Sequence, residues 1–166
     1  MPVTFESGDI FATAELRGFA HGCNCAGAMG KGIAVAFKQR WPAMYEEYRR
    51  RCKAGSFTLG DVFVWEQGSE AVFNLGTQRS WTTRAEIAAI EKALTTMVRE
   101  AESRGVKEIA LPRIGAGLGG LAWEEVRAVL EQVASKSPVL LRVCDVFAAG
   151  KALSPTPDSP PSTPRG

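Results

Sequence analysis

The sequence predicts a layered α/β fold, with a mixed, mostly parallel central sheet and helices on both faces. Three observations predict it. Short apolar runs of strand length alternate with segments of helical periodicity. The helical segments each gather their apolar residues on one face. Two of the strands run directly into glycine-rich loops that lead into helices, the arrangement that builds ligand sites at the carboxyl ends of parallel strands.

The elements follow in order. VTF (3–5) and GFAHGC (18–23) read as the first strands. Residues 30–41 read as a helix that Pro42 stops or bends, and a further helix runs to about Cys52. DVFVW (61–65) and AVFNL (71–75) read as two more strands. Residues 83–104 read as a helix: Thr83 and Glu86 have capping-box spacing, Ile87, Ile90, Leu94, Met97, Val98 and Ala101 share a face, and Gly105 ends it. EIALP (108–112) is the next strand. A helix over 122–135 has Glu124 and Glu125 at its positive end, with Val126, Val129, Leu130 and Val133 turned inward. VLLRVCDVF (139–147) closes the series. Residues 1–150 therefore read as one domain. Residues 151–166, rich in Pro and Ser with almost nothing to bury, read as a disordered tail.

Composition narrows the function. The net charge of +2 over 166 residues argues against a dedicated electrostatic nucleic-acid binder. No apolar run reaches the ~20 residues of a membrane span, and MPVTFESGDIF has neither the basic nor the apolar region of a signal peptide. No membrane partner is expected. The four cysteines are Cys23, Cys25, Cys52 and Cys144; C-x-C with a lone histidine is a poor zinc set. Reduced thiols in a cytoplasmic monomer, with no metal and no cofactor, are the expectation.

The glycine-rich loops carry the chemistry. CNCAGAMGKGIA (23–34) and PRIGAGLGGLAWEE (112–125) each place backbone N–H groups near a helix start, where an anion can approach without side-chain obstruction. Gly115, Gly117 and Gly120 fit G-x-G-x-x-G, but that fingerprint comes late in the chain and lacks its downstream acidic residue. The first loop has Gly30, Lys31 and Gly32 but no Walker motif. Two tight structural turns are the competing reading of each loop alone. Together the loops read as a clamp for a diphosphate.

GDIF (8–11), HGCNCAGAMGKGIA (21–34) and PRIGAGLGGLAWEEV (112–126), in that order, resemble the macrodomain, a three-layer α/β/α module that binds ADP-ribose. The likeness runs from about Val3 to Phe147 and is greatest to the branch of terminal ADP-ribose glycohydrolases and ADP-ribose-1''-phosphate phosphatases. The resemblance implies that Asp9 accepts from the adenine amine and that Ile10 offers its N–H to the ring; a turn carboxylate is the alternative for Asp9. It implies that Ala26, Gly27, Met29, Gly30, Lys31, Gly32 and Ile33 wrap the distal ribose and one phosphate, with Thr77 beside them. Ile114, Gly115, Ala116, Gly117, Leu118 and Gly119 would hold the diphosphate, and Val146 and Phe147 the adenine face. Core packing is the alternative for Phe147, and a solvated lysine for Lys31. Asn24 would face the distal ribose or cap the turn. His21 would be an acid–base group or a strand histidine bonded beside the pocket.

Two positions depart from the glycohydrolase pattern. Gln78, in NLGTQRSW (74–81), stands where those relatives carry a lysine, and glutamine can form no Schiff base. Gly119 stands where one type carries an aspartate. The implied activity is therefore metal-independent hydrolysis of ester-linked or 1''-phosphorylated ADP-ribose, with His21, Asn24 and Gln78 around a positioned water. The alternative is a non-catalytic ADP-ribose reader. A nucleic-acid de-ADP-ribosylating antitoxin is the third reading, nucleic acid entering only as an ADP-ribosylated substrate.

Overall fold

Residues 2–156 are described by a computed structural model. Seven strands form one sheet: β1 (Val3–Gly8), β2 (Gly18–Asn24), β3 (Val62–Gln67), β4 (Glu70–Gln78), β5 (Glu108–Pro112), β6 (Leu140–Phe147) and β7 (Ser154–Pro155). Their order is β3-β4-β2-β5-β6-β1-β7. The five central strands run parallel, and the edge strands β3 and β7 run antiparallel to their neighbours. The expected mixed, mostly parallel sheet is what forms, and the carboxyl ends of β4, β2, β5, β6 and β1 therefore line one edge.

Strand alternation splits the core into two layers. Ala20, Phe73, Ile109, Leu111, Leu141 and Val143 pack with α3 (Ile87–Ser103) and α4 (Trp123–Ala134). Phe19, Cys23, Val72, Ala110 and Cys144 pack with α1 (Ile33–Arg40) and α2 (Pro42–Lys53), where Phe37, Trp41, Met44 and Tyr48 are fully buried. The helices thus cover both faces, giving the three layers.

Two boundaries differ from expectation. The third helix starts at Ile87, with Glu86 rather than Thr83 at its cap. Thr83 spends its hydroxyl closing a turn, accepting from Ser80 N and donating to Ser80 O. The intervening segment docks instead of coiling: Ala85 N–H donates to Gly119 O at 2.8 Å and Glu86 N–H to Thr77 O at 2.9 Å. The expected disordered tail also begins too early at 151. Leu153 is buried, its N–H donates to Thr13 Oγ1, and Ser154–Pro155 pairs with β1 as an edge strand. One apolar residue and an open sheet edge suffice to order this piece. The rest of that expectation, residues 157–166, lies outside the described residues.

Candidate functional site

A cavity of about 490 Å³ opens at the carboxyl ends of β2, β4 and β5. It is walled by the two glycine-rich loops and by the segment after β4. The first loop is stapled by Asn24 at the end of β2. Asn24 Oδ1 accepts from Ala26 N–H at 3.0 Å and Ala28 N–H at 3.2 Å, while its Nδ2 donates to Ala28 O at 2.8 Å. Tyr48 Oη, from α2, donates to the Asn24 carbonyl at 2.6 Å and lies 3.0 Å from Oδ1. Gly32 closes the loop at φ 63°, a left-handed conformation open to glycine, and starts α1. From Met29 to Gly32 no backbone N–H finds an acceptor among the described residues.

The second loop repeats the arrangement. None of the five N–H groups from Gly115 to Gly119 has an acceptor among the described residues. The loop's carbonyls are occupied instead: Gly115 O by Leu121 N–H, Gly117 O by Gly120 N–H and Gly119 O by Ala85 N–H. A run of unpaired donors with its acceptors tied back is an anion cradle. No carboxylate lines the cavity, whereas Lys31 and Arg113 do. Arg113 is partly neutralised by Asp145 at 2.7 Å, so the backbone donors dominate. Leu118 leans across the cleft, its methyl 3.4 Å from where a Cβ on Gly32 would stand, and joins the two loops.

The structure brings together Asn24, Met29, Gly30, Lys31, Gly32, Ile33, Thr77, Gln78, Ile114, Gly115, Gly117, Leu118 and Gly119 around this cavity. Ala116 sits in the same loop without reaching the lining. Ala26 and Gly27 lie behind it: Gly27 faces Arg49 and Cys52 of α2. Asp9, Ile10, Val146 and Phe147 gather separately, where Gly8 of β1 pairs with Phe147 of β6. That end is an extension of the same sheet edge. Val146 is 52% and Phe147 68% exposed, which sets aside the core-packing reading of Phe147. Asp9 is already engaged, accepting from Phe11 N–H at 2.9 Å and Gly150 N–H at 3.1 Å. The Ile10 side chain is buried, and its backbone N–H has no acceptor among the described residues.

His21 is corrected. Its ring is fully buried, stacks on Phe37 at 3.8 Å between centroids, and does not line the cavity. Asn74 Nδ2 donates to Phe63 O, which turns Asn74 Oδ1 toward His21 Nε2 at 2.7 Å; Nε2 therefore carries the proton. Nδ1 is buried without a partner. Burial drops the pKa to about 4, against a smaller upward pull from Asn74. The ring is neutral and sealed from any substrate. Alternation is the cause: Phe19, His21 and Cys23 share the face under α1, and His21 lies too far back along the strand to reach the cavity that Asn24 meets at its end. Cys23 does line the cavity, but burial, reinforced by the nearby Cys52 and Cys25 sulfurs, raises its pKa and keeps a neutral thiol. Cys25 is pushed up to about 11, chiefly by burial.

Gln78 does line the cavity. Its Nε2 donates to Ser80 O at 2.8 Å and Thr83 O at 3.1 Å, which fixes the amide and leaves Oε1 without a donor among the described residues. At Gly119 a Cβ would stand 2.6 Å from Gly115 O and 2.9 Å from Ala85 Cβ, so an aspartate has no room there. Sequence reasoning missed Trp81, Arg113, Pro112, Ala34, Gly22 and Cys23 in the lining. For Trp81 and Arg113 a signal existed: each follows a strand end that runs into the site.

Comparisons with known proteins agree with this geometry. The "Macro domain" family model matches residues 20–130. The chain is 34% identical over 140 residues to the DNA ADP-ribosyl glycohydrolase of Mycobacterium tuberculosis, covering 82% of this chain and 40% of that protein. It is 29% identical to human ADP-ribose glycohydrolase OARD1, over 85% of this chain and 90% of that one. It is 27% identical to the ADP-ribose 1''-phosphate phosphatase of Candida albicans, over 78% and 92%. The solved macrodomain of Mycobacterium tuberculosis DarG superposes with a TM-score of 0.79 at 32% identity, covering 87% of this chain and 96% of that one. This chain thus spans well under half of the mycobacterial glycohydrolase but nearly all of its solved macrodomain. With sheet order, paired anion loops and family match in agreement, the chain belongs to the Macro domain family.

Proposed function

We propose that the protein binds ADP-ribose along the carboxyl edge of the sheet and hydrolyses its attachment at the anomeric carbon of the distal ribose. The diphosphate rests on the unpaired N–H groups of the two loops. The adenine lies toward Asp9, Ile10, Val146 and Phe147, and the distal ribose toward Asn24 and Gln78. The observation that carries the reading is the pair of cradles: nine N–H donors, four from Met29 to Gly32 and five from Gly115 to Gly119, have no acceptor among the described residues.

The chemistry follows from what the lining lacks. It contains no His, Asp or Glu, and its one cysteine is held protonated. The lining therefore offers no imidazolium or carboxylic acid to protonate a poor leaving group near neutral pH. The suited substrates are those whose leaving group departs as a stable anion, a carboxylate or a phosphate. Water held by Gln78 Oε1 attacks the anomeric carbon, and the bond to the leaving oxygen breaks with its electron pair. The proton of the attacking water passes to solvent. Gln78 accepts a hydrogen bond and no proton. Asn24 is a positioning residue, because its amide is spent on the loop. Positioning alone can lower such barriers by up to roughly 7–11 kcal/mol. No three His, Cys, Asp or Glu side chains come together as metal ligands among the described residues, and metal-independent turnover is part of the proposal.

The fixed glutamine also favours a second reading, an ADP-ribose reader without turnover. A substrate panel decides between them: acyl-ADP-ribose, ADP-ribose-1''-phosphate, and glutamate-, serine- and nucleic-acid-linked ADP-ribose. The hydrolase reading expects turnover of the ester and phosphate members. It also expects Gln78→Ala to reduce kcat about 10- to 100-fold while the affinity for ADP-ribose is held. Tight ADP-ribose binding with no turnover of any member leaves the reader.

A further inference from the structure

Trp81 was not among the residues the sequence singled out, and nothing in the fold requires it. Each of the other three tryptophans packs on an aromatic ring: Trp41 on Phe37, Trp65 on Phe63 and Trp123 on Phe5. Trp81 has no ring partner among the described residues and is 58% exposed, yet it lines the cavity. An exposed aromatic ring that lines a cavity offers a flat contact surface to what binds there.

Its setting fixes what it can recognise. The loop carrying it is tied by hydrogen bonds on both sides: Gln78 Nε2 to Ser80 O and Thr83 O, Ser80 N–H to Thr83 Oγ1, and Thr82 N–H to Ser80 Oγ. The backbone beneath the indole is therefore ordered before any ligand arrives, and little entropy is lost on contact. The loop leaves β4 just after Gln78, at the distal-ribose end and away from the Val146–Phe147 end. Whatever the ADP-ribose is attached to must leave the cavity here. Arg79 and Lys31 are exposed around this end, as is Arg84, whose Nη2 donates to Gly120 O at 3.0 Å, and the lining has no carboxylate among the described residues. Arg79 has one partner, Glu86 at 3.5 Å, in an exposed pair worth little.

We infer that Trp81 is a stacking platform for a nucleobase in the group attached to the ADP-ribose, which makes it a specificity-determining residue for ADP-ribosylated nucleic-acid strands. A flat exposed ring beside several cations fits an unpaired nucleotide, whose base offers a π-face and whose phosphates offer charge. A peptide presents neither at a fixed position. The inference rests on the reading of the cavity as the ADP-ribose site, and it agrees with a phosphate leaving group when the linkage is to a terminal phosphate.

The test compares two substrates on three proteins. The substrates are a short single-stranded DNA carrying ADP-ribose on its terminal phosphate and a peptide carrying it on glutamate. The proteins are wild type, Trp81→Ala and Trp81→Phe. The readout is the ratio of kcat/KM on DNA to that on peptide; if wild type binds without turnover, it is the same ratio of affinities. Trp81→Ala lowers that ratio at least about tenfold, and Trp81→Phe restores most of it. An unchanged ratio in Trp81→Ala, or a phenylalanine variant no better than alanine, overturns the inference. Failure of the underlying reading looks different: wild type then binds no free ADP-ribose in calorimetry, and this proposal falls with it.

Discussion

His21 is held neutral by burial, with its pKa lowered from 6.5 to about 4. In the unfolded chain the ring takes up a proton as pH falls through 6.5, and in the fold only near 4. Stability is therefore full above pH 6.5 and falls by up to about 1.4 kcal/mol per unit between 6.5 and 4. Glu6, where burial pulls the pKa up but the hydrogen bonds from Arg142 and Thr4 and the Arg142 charge together pull it below its usual range, adds its own loss at lower pH. Urea unfolding at pH 7 and pH 5.5 separates the two windows. Wild type loses about 1 kcal/mol across that interval, and His21→Leu loses none of it. An identical loss in both would mean that the ring is not sealed. The residue was legible as a candidate because it is the only histidine. Its position was legible too, since Phe19, His21 and Cys23 alternate onto one face, but the family likeness pointed to catalysis and the alternation pointed away. Gln78, singled out in the sequence, does reach the cavity lining. What no sequence rule supplies is the pair of backbone carbonyls that fix its amide.

At the level of elements, both glycine loops were legible from composition and their place after strands. Their mutual bracing was not. The segment 84–86 was expected to be helix because Thr83 and Glu86 have capping spacing. Instead its N–H groups bind Gly119 O and Thr77 O, a long-range contact that overrides a local signal. That brace makes Gly119 a packing position. Gly119→Asp, which would recreate the acidic residue of one glycohydrolase type, drives a Cβ to 2.6 Å from Gly115 O. The backbone has to move, so the variant is less stable by at least about 1–3 kcal/mol and shows no gain in turnover. Thermal unfolding alongside a turnover assay checks both. An aspartate variant as stable as wild type and more active would show that the second loop is not braced as described.

For the molecule as a whole, the alternation of short apolar runs with helical segments sufficed to predict a mostly parallel sheet, and the helix faces to predict its two covers. The last strand was hidden, because ALSPTP has the composition of a linker and only Leu153 to bury. Its surroundings nevertheless brace the Asp9 end of the sheet edge: Lys151 O accepts from Asp9 N–H at 2.7 Å, and Leu153 is buried in the same layer as Ile10. Ending the chain at Gly150 removes the buried Leu153 and its hydrogen bond to Thr13 and opens the β1 edge. The expected loss is about 2 kcal/mol or more, read from urea unfolding, with weaker ADP-ribose binding as Asp9 loosens. A truncated chain with unchanged stability would show that β7 is only an accessory.

The central claim is that backbone N–H groups of the second loop hold the diphosphate of ADP-ribose. Gly117 is the position to probe, since a Cβ there meets no atom within 4 Å and the fold can keep it. Calorimetric titration of ADP-ribose into wild type and Gly117→Glu, each with its melting temperature measured, is the most direct measurement. The account predicts binding to wild type, an unchanged melting temperature for the variant, and affinity lower by at least about 100-fold, or ~2.7 kcal/mol, as a carboxylate takes the anion's place. A folded Gly117→Glu that binds ADP-ribose as tightly as wild type would contradict it.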